Sequence, residues 1–536
     1  VIALKRFNVT GLCVKEKHYM VDMREKLEKI MKLIDEGYYF TINRARQYGK
    51  TTTLSLIAGT LPSDYTCISL SFEGVGETMF ENPASFCQRF LLHVSKALEH
   101  KDKDFAGQWL DGSITDFDLL GYHLDKLCEG RKIVLLIDEI DQASDNRVFL
   151  YFLGMLRNKY LSRENGYAHT FHSVILAGVY DIKNIKLKLI KEGVYSQNGD
   201  IGRIYNSPWN IAADFDVDMS FSSFDIAGML KEYEGDHETG MDIPEISDKI
   251  YEFTSGYPFL VSRICQHIDE KLEKNWSKDG VAIAIKAIID EHNVLFDDLA
   301  KNLETYKDLY DFLYDVLIVG EVKTFNIMDP VVNLGNMFGY IKKGDCFGRN
   351  VAISNKIFEI CISNYFISKD SNSSRMNKCA GGALYQDVVK DGSFDMELCL
   401  RKFAAHYREI FSDDDAPFLE RHGRLLFLSY LKPLINGLGF YHIESQFTDL
   451  RRMDIVVDFG RDQFIIELKL WKGEAAKDKA YMQLLDYMAS KNANRGYLLT
   501  FDFRKGKHPE QGAGWIQIDG RQIFDVTVGG NLGYPK

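Results

Sequence analysis

Three residues near the C-terminus have types and spacing that can do chemistry: Asp454, Glu467 and Lys469. Glu467 and Lys469 stand two apart inside the apolar run Phe464-Ile465-Ile466-Glu467-Leu468-Lys469-Leu470, which reads as a buried strand. Alternate residues of a strand face one side, so the acid and the lysine point together while Ile466 and Leu468 point into a core. Charges in such a setting are costly unless partnered. Asp454 opens an earlier apolar strand, and the turn-like Asp458-Phe459-Gly460-Arg461-Asp462 would fold the chain back so that Asp454 lies beside Glu467. Two carboxylates can hold Mg²⁺ (or Mn²⁺) and a water, and a lysine beside them can stabilise the charge that develops on a cleaved phosphate. That chemistry is phosphodiester hydrolysis.

The arrangement resembles the PD-(D/E)XK nuclease superfamily, and specifically the small nuclease domain appended to a bacterial AAA-ATPase-like family. The resemblance implies that Asp454 and Glu467 bind the metal and that Lys469 orients the water or stabilises the transition state. It also implies a further acid from a preceding helix, matched by Glu420 in Phe418-Leu419-Glu420-Arg421-His422-Gly423, and a supporting glutamine, matched by Gln483 four residues before Tyr487. Met453 stands where many members carry a proline before the aspartate.

A second constellation lies near the N-terminus, where an expected strand over 38–42 runs into Asn43-Arg44-Ala45-Arg46-Gln47-Tyr48-Gly49-Lys50-Thr51-Thr52. Gly49-Lys50-Thr51 matches the close of a phosphate-binding loop, in which backbone amides cradle phosphates, Lys50 reaches the β/γ oxygens and Thr51 holds Mg²⁺. Farther on, Lys132-Ile133-Val134-Leu135-Leu136-Ile137-Asp138-Glu139 is a buried strand ending in two acids. Such a pair suits Asp138 ordering Mg²⁺ through water and Glu139 polarising the attacking water. Arg44 occupies the place of the first glycine. The loop is similar to the version in the AAA-ATPase-like family, where arginine commonly stands there, although Ala45 and Gln47 depart from it. By that likeness Arg46, Gly49, Lys50, Thr51, Thr52 and Asp138 contact ATP and its Mg²⁺. Thr254-Ser255-Gly256-Tyr257-Pro258-Phe259-Leu260 resembles the G-x-P element of STAND and origin-recognition-like ATPases, which implies Pro258 near the base. Asn184 or Asp181 is a sensor candidate. Arg203 is a candidate for acting across a subunit interface, which would require a homo-oligomer.

These residues need elements to position them. Short apolar strands expected over 38–42, 65–72, 132–137 and 173–177 alternate with amphipathic helices, the pattern of a parallel sheet covered on both faces. The fold expected is α/β: a P-loop (AAA/STAND-like) domain over 1–220, a helical lid over 221–290, a winged helix over 291–368, a polar linker over 369–382 and a restriction-endonuclease-like α/β domain over 383–536. The winged helix follows from helices leading to a hairpin over 339–345, a strand Val351–Ile353 and a helix over 356–365; Ile353-Ser354-Asn355-Lys356-Ile357-Phe358 also resembles that family's winged-helix end.

At 536 residues the chain has room for several cores, and 46% hydrophobic with 26% charged residues excludes extended disorder. A net charge of −12 does not fit a nucleic-acid binder taken whole. Locally Arg451, Arg452, Lys469, Lys472, Lys477, Lys479, Arg504, Lys505 and Lys507 gather around the proposed acids, either to engage phosphates or as solubilising surface. Nine scattered cysteines without a C-x-x-C pair suit a reducing cytoplasm. No run spans a bilayer, no signal-peptide pattern opens the chain, and the start at Val1 implies a missing initiating segment. The expected activity is ATP binding and hydrolysis joined to Mg²⁺- or Mn²⁺-dependent cutting of DNA, with RNA left open, in defence against foreign DNA. The competing reading is an ATP-gated DNA-binding or signalling scaffold whose nuclease-like domain is inactive.

Overall fold

Consecutive apolar residues of a strand point to opposite faces and must find cover on two sides, and the N-terminal strands do. The computed structural model describes residues 4–143, 146–179, 209–319, 321–344, 349–370, 385–390, 392–410, 416–435, 439–444, 454–460, 462–471, 473–502 and 513–529, with backbone alone at 142, 370, 385, 408–410, 416–422, 440, 442–444, 454 and 529. It divides into two compact units, one of Val1–Tyr251, Gly256–Gln266 and Asn336–Gly339, the other of Glu252–Ser255, His267–Gly335 and Tyr340–Lys536. Among the described residues no helix is long and apolar enough to cross a membrane.

In the first unit β1 (Phe40–Asn43), β2 (Tyr65–Ser71), β3 (Lys132–Asp138) and β4 (Ser173–Gly178) form a parallel sheet in the order β1-β4-β3-β2. Ile133, Leu135 and Ile137 enter one core with Phe90 and Phe152; Val134 and Leu136 enter another with Ile34 and Leu54. Both faces are covered, which is why these strands read as unbroken apolar runs. The helix Lys50–Thr60 follows β1 directly through the glycine-lysine-threonine loop.

In the second unit β5 (Ile341–Lys343) and β6 (Val351–Ile353) pair antiparallel, Ile341 opposite Ile353, and lead into the helix Lys356–Asp370, longer than the expected 356–365. After the short pair β7 (Val389–Lys390) and β8 (Ser393–Phe394) come the helices Met396–Ile410 and Ala416–Ile435 and then a six-stranded sheet. Its strands are β9 (Gly439–Glu444), β10 (Asp454–Phe459), β11 (Asp462–Leu470), β12 (Arg495–Asp502), β13 (Ala513–Ile518) and β14 (Arg521–Gly529), in the order β13-β14-β12-β11-β10-β9. The helix Glu474–Ser490 packs Leu484, Leu485 and Met488 on Val456, Ile465, Leu498 and Ile523, on one face of this sheet. Phe501 lies on the other face and meets Phe403 and Tyr407 of the helix Met396–Ile410. The molecule is therefore a mixed α/β protein with a parallel sheet of P-loop type and a second α/β sheet at its C-terminus.

Candidate functional site

The loop between β1 and the helix Lys50–Thr60 is shaped by two left-handed residues, Gln47 at φ 56° and Gly49 at φ 78°. Arg44 is not among the residues at positive φ, so a glycine has no conformational advantage there. Its guanidinium turns away from the loop, donating to the carbonyls of Asn43 (2.9 Å) and Val217 (2.8 Å) over the ring of Phe215. Arg44 is thus a brace for the loop. Lys50, only 7% exposed, folds its ammonium back to the carbonyls of Arg44 and Ala45, each at 3.0 Å. Burial pulls the Lys50 ammonium down, while Asp141, Glu139 and Asp138 hold it up. The Thr51 hydroxyl donates to Asp138 at 2.6 Å, which joins the helix N-terminus to the end of β3. Thr52 accepts the backbone N–H of Cys13 through its hydroxyl at 3.2 Å, and Arg46 is exposed at the loop.

Glu139 takes a left-handed conformation, φ 54° and ψ 42°, sparsely populated for a side-chain-bearing residue and common where strain serves a site. Burial, then the charges of Asp138, Asp141 and Glu73, push its carboxyl up, and Lys50 opposes them. Glu139, Glu73, Lys50, Thr51 and Pro258 line one cavity of about 480 Å³. That volume suits a nucleotide-sized ligand. The cavity lies at the C-terminal ends of parallel strands, where such sheets bind ligands. Its walls pair the apolar Val21, Met219 and Phe221 with the polar loop, a division that fits a base at one end and phosphates at the other.

The loop around Pro258 is tied to this site. The Tyr257 hydroxyl donates to the carbonyl of Arg46 at 2.5 Å, and its ring meets Tyr48 edge-on at 4.7 Å. Gly256 sits at φ 72°, and a Cβ there would stand 1.8 Å from the carbonyl oxygen of Phe221. Gly256→Ala is therefore expected to destabilise the protein by about 3 kcal/mol or more and to weaken ATP binding, because Phe221 and Pro258 both line the cavity. Denaturant unfolding and nucleotide titration of the variant check this; wild-type values in both would show that the contact is not needed.

In the second unit β10 and β11 form the hairpin that the acids require, with Asp454 directly opposite Glu467. Glu467 is 1% exposed and Lys469, 23% exposed, contacts its carboxylate. On the other edge of β10, Asp454 is opposite Glu444 of β9, so three acids occupy neighbouring register positions. Thr500 is the β12 partner of Lys469 and is buried, its hydroxyl without a hydrogen-bond partner among the described residues. The same holds for Oε1 of Gln483, half-buried on the helix Glu474–Ser490, whereas Tyr487 is buried in the core beneath that helix. Glu420 belongs to the helix Ala416–Ile435, but its side chain and that of Asp454 lie outside the described atoms. No group of three His, Cys, Asp or Glu side chains that could hold a metal occurs among the described residues.

Sequence reasoning missed several residues of this neighbourhood. Arg424, four after Glu420 and so one helical turn away, donates to the carbonyls of Leu317 (3.3 Å) and Ile318 (2.8 Å). Burial pulls its guanidinium down to about 10, against the attraction of Glu467. The i, i+4 spacing from Glu420 was the available signal. Glu444 had none, since its relevance depends on strand register. Asp181, Asn184, Arg203, Arg451, Arg452, Lys472, Arg504, Lys505 and Lys507 lie outside the described residues.

A parallel sheet with a lysine-threonine loop after β1 and paired acids ending β3 defines a P-loop nucleotide-binding fold in class, followed by a restriction-endonuclease-like sheet. The AAA-like domain family matches residues 13–317, and the chain belongs to that family. The PD-(D/E)XK nuclease superfamily matches residues 438–511. Among solved structures the chain is similar to the Walker-type ATPase of Pyrococcus abyssi, with 13% identity and a TM-score of 0.46, covering 66% of this chain and 99% of that one. It is also similar to the Aeropyrum pernix ORC1 protein in complex with DNA (10% identity, TM-score 0.27, 65% and 94% covered) and to a mutant of Thermotoga maritima RuvB (12%, 0.29, 62% and 92%). No curated protein matches.

Proposed function

We propose that this protein is an ATP-controlled, divalent-metal-dependent DNA nuclease that acts in the cytoplasm on foreign DNA. The observation that carries the reading is the register of β10 and β11, which sets Asp454 opposite Glu467 with Lys469 against the Glu467 carboxylate. An all-oxygen set suits Mg²⁺ or Mn²⁺, and the burial of Glu467, together with polar atoms of Gln483 and Thr500 that have no hydrogen-bond partner among the described residues, is consistent with it. Asp454 and Glu467 would hold the ion, with Glu420 as the further acid. When bound, the ion supplies positive charge at the scissile phosphate and acidifies a water. Lys469 places its ammonium where charge develops on the phosphate, and Gln483 orients the water through its amide.

At the other site Lys50 would exchange the carbonyls of Arg44 and Ala45 for nucleotide phosphates, Thr51 and Asp138 would hold Mg²⁺, and Glu139 would accept a proton from the attacking water. Residues 1–220 act as the ATPase domain, 221–290 as its lid, 291–368 as a winged helix that contacts DNA, 369–382 as a linker and 383–536 as the nuclease. Purified full-length protein should nick or linearise plasmid with Mg²⁺ or Mn²⁺, stop when the metal is chelated, and stop with Asp454→Ala. Cutting that persists in that variant would overturn the site.

A further inference from the structure

A row of polar and aromatic side chains continues from the acids along the face covered by the helix Glu474–Ser490, and nothing in the proposed hydrolysis uses it. Trp471 follows β11 and extends its ladder, its backbone N–H donating to the carbonyl of Phe501 at 2.8 Å. It therefore shares a face with Glu467 and Lys469, about 7 Å beyond the lysine along the strand. Gly473, at φ 107°, then turns the chain into the helix, a backbone conformation that other residues rarely adopt. The turn brings Lys477 to 5.9 Å from the Trp471 ring and 5.7 Å from the Tyr481 ring. Asp525 of β14 fixes the group from below, accepting from Lys477 and from the Tyr481 hydroxyl, each at 2.6 Å. Asp525 lies in the same row as Glu467, since both register on Leu498. Trp471 and Tyr481 remain partly exposed.

An indole and a phenol ring fixed beside one ammonium offer a base a flat surface and a phosphate a cation. Stacking of this kind binds bases without regard to sequence. A paired base has both faces covered by its neighbours and cannot use such a surface unless it leaves the stack. Resting on the nuclease reading, we propose that Trp471 and Tyr481, with Lys477 beside them, form a shelf for an unpaired base next to the acids, so that the preferred substrate is single-stranded or locally unpaired DNA.

The test is binding of the full-length chain to labelled single-stranded DNA, duplex DNA and single-stranded RNA without divalent metal, where cleavage does not intervene. The wild type should favour single-stranded DNA, and Trp471→Ala should bind it about tenfold more weakly with duplex affinity unchanged. Trp471→Phe, which keeps a ring and guards against a folding defect, should retain most of the affinity. Equal losses on single strand and duplex, no loss on either, or no binding to any probe would overturn the shelf, and a preference for RNA would overturn the DNA assignment. Because this readout needs no cutting, a protein that discriminates through Trp471 but never cleaves would sink the nuclease reading while leaving the shelf intact.

Discussion

Glu467→Gln should abolish cleavage and destabilise the nuclease domain, whereas Lys469→Ala should lower cleavage at a smaller cost in stability. The asymmetry follows from burial. Glu467 is 1% exposed and its carboxylate is in contact with Lys469. Replacing the acid with its amide keeps the shape but takes the countercharge from Lys469 and from the buried guanidinium of Arg424, a loss of about 3 kcal/mol or more. It also removes the negative oxygen that a divalent ion needs. Removing the lysine instead leaves the carboxylate buried without that cation, a loss of about 1–3 kcal/mol, toward the lower end because Lys469 is 23% exposed. Cleavage should fall by about 10²–10³-fold in Lys469→Ala, the usual cost of one stabilising group aimed at developing charge. Plasmid-cleavage rates with urea unfolding of the same preparations decide the matter. Full activity in Glu467→Gln would remove that carboxylate from the reaction.

Much of the fold was legible because the chain states it locally. β3 is a run of five apolar residues closed by Asp138, and its neighbours share that character, since a parallel sheet buried on both faces leaves no polar alternation to confuse with a helix. The acid-x-lysine step in β11 identified a face, and the turn at Asp458–Asp462 implied its partner strand. What stayed hidden depends on contacts between distant segments. β12 and β14 pair in parallel, so no tight turn announces them, and Glu444 gains meaning only from the β9–β10 register. The β13–β14 hairpin did carry a signal: Asp519-Gly520, both at positive φ, closes a two-residue turn between Ile518 and Arg521, the composition such turns favour. Arg44 stands where the phosphate-loop motif has its first glycine. The left-handed positions fall at Gln47 and Gly49 instead, and the arginine side chain braces Val217. The part of Trp471 was unreadable, since it arises only when Gly473 folds the helix back over the strand.

Lys50→Ala and Glu139→Gln should separate holding the nucleotide from consuming it. Lys50 already makes two hydrogen bonds to its own loop at 3.0 Å, so the loop is preformed, and nucleotide phosphates would replace carbonyls as the partners of a buried ammonium. Losing a charged hydrogen-bond donor of this kind should weaken ATP binding by about 10- to 100-fold. Glu139 has a different place, lining the cavity from a left-handed turn just past Asp138, whose carboxylate accepts the Glu139 backbone N–H at 2.9 Å. Its amide replacement preserves shape and leaves Lys50, Thr51 and Asp138 untouched, so ATP should bind with wild-type affinity. Turnover should drop by about 10²–10⁴-fold because no base receives the water's proton. Equilibrium binding of a labelled nucleotide, set against phosphate release, reads the two effects independently. Normal turnover in Glu139→Gln would dismiss Glu139 as the base. If ATP controls the nuclease, this variant should hold cleavage in its ATP-bound regime for as long as nucleotide stays bound, while Lys50→Ala should show the nucleotide-free regime at ATP concentrations that saturate the wild type.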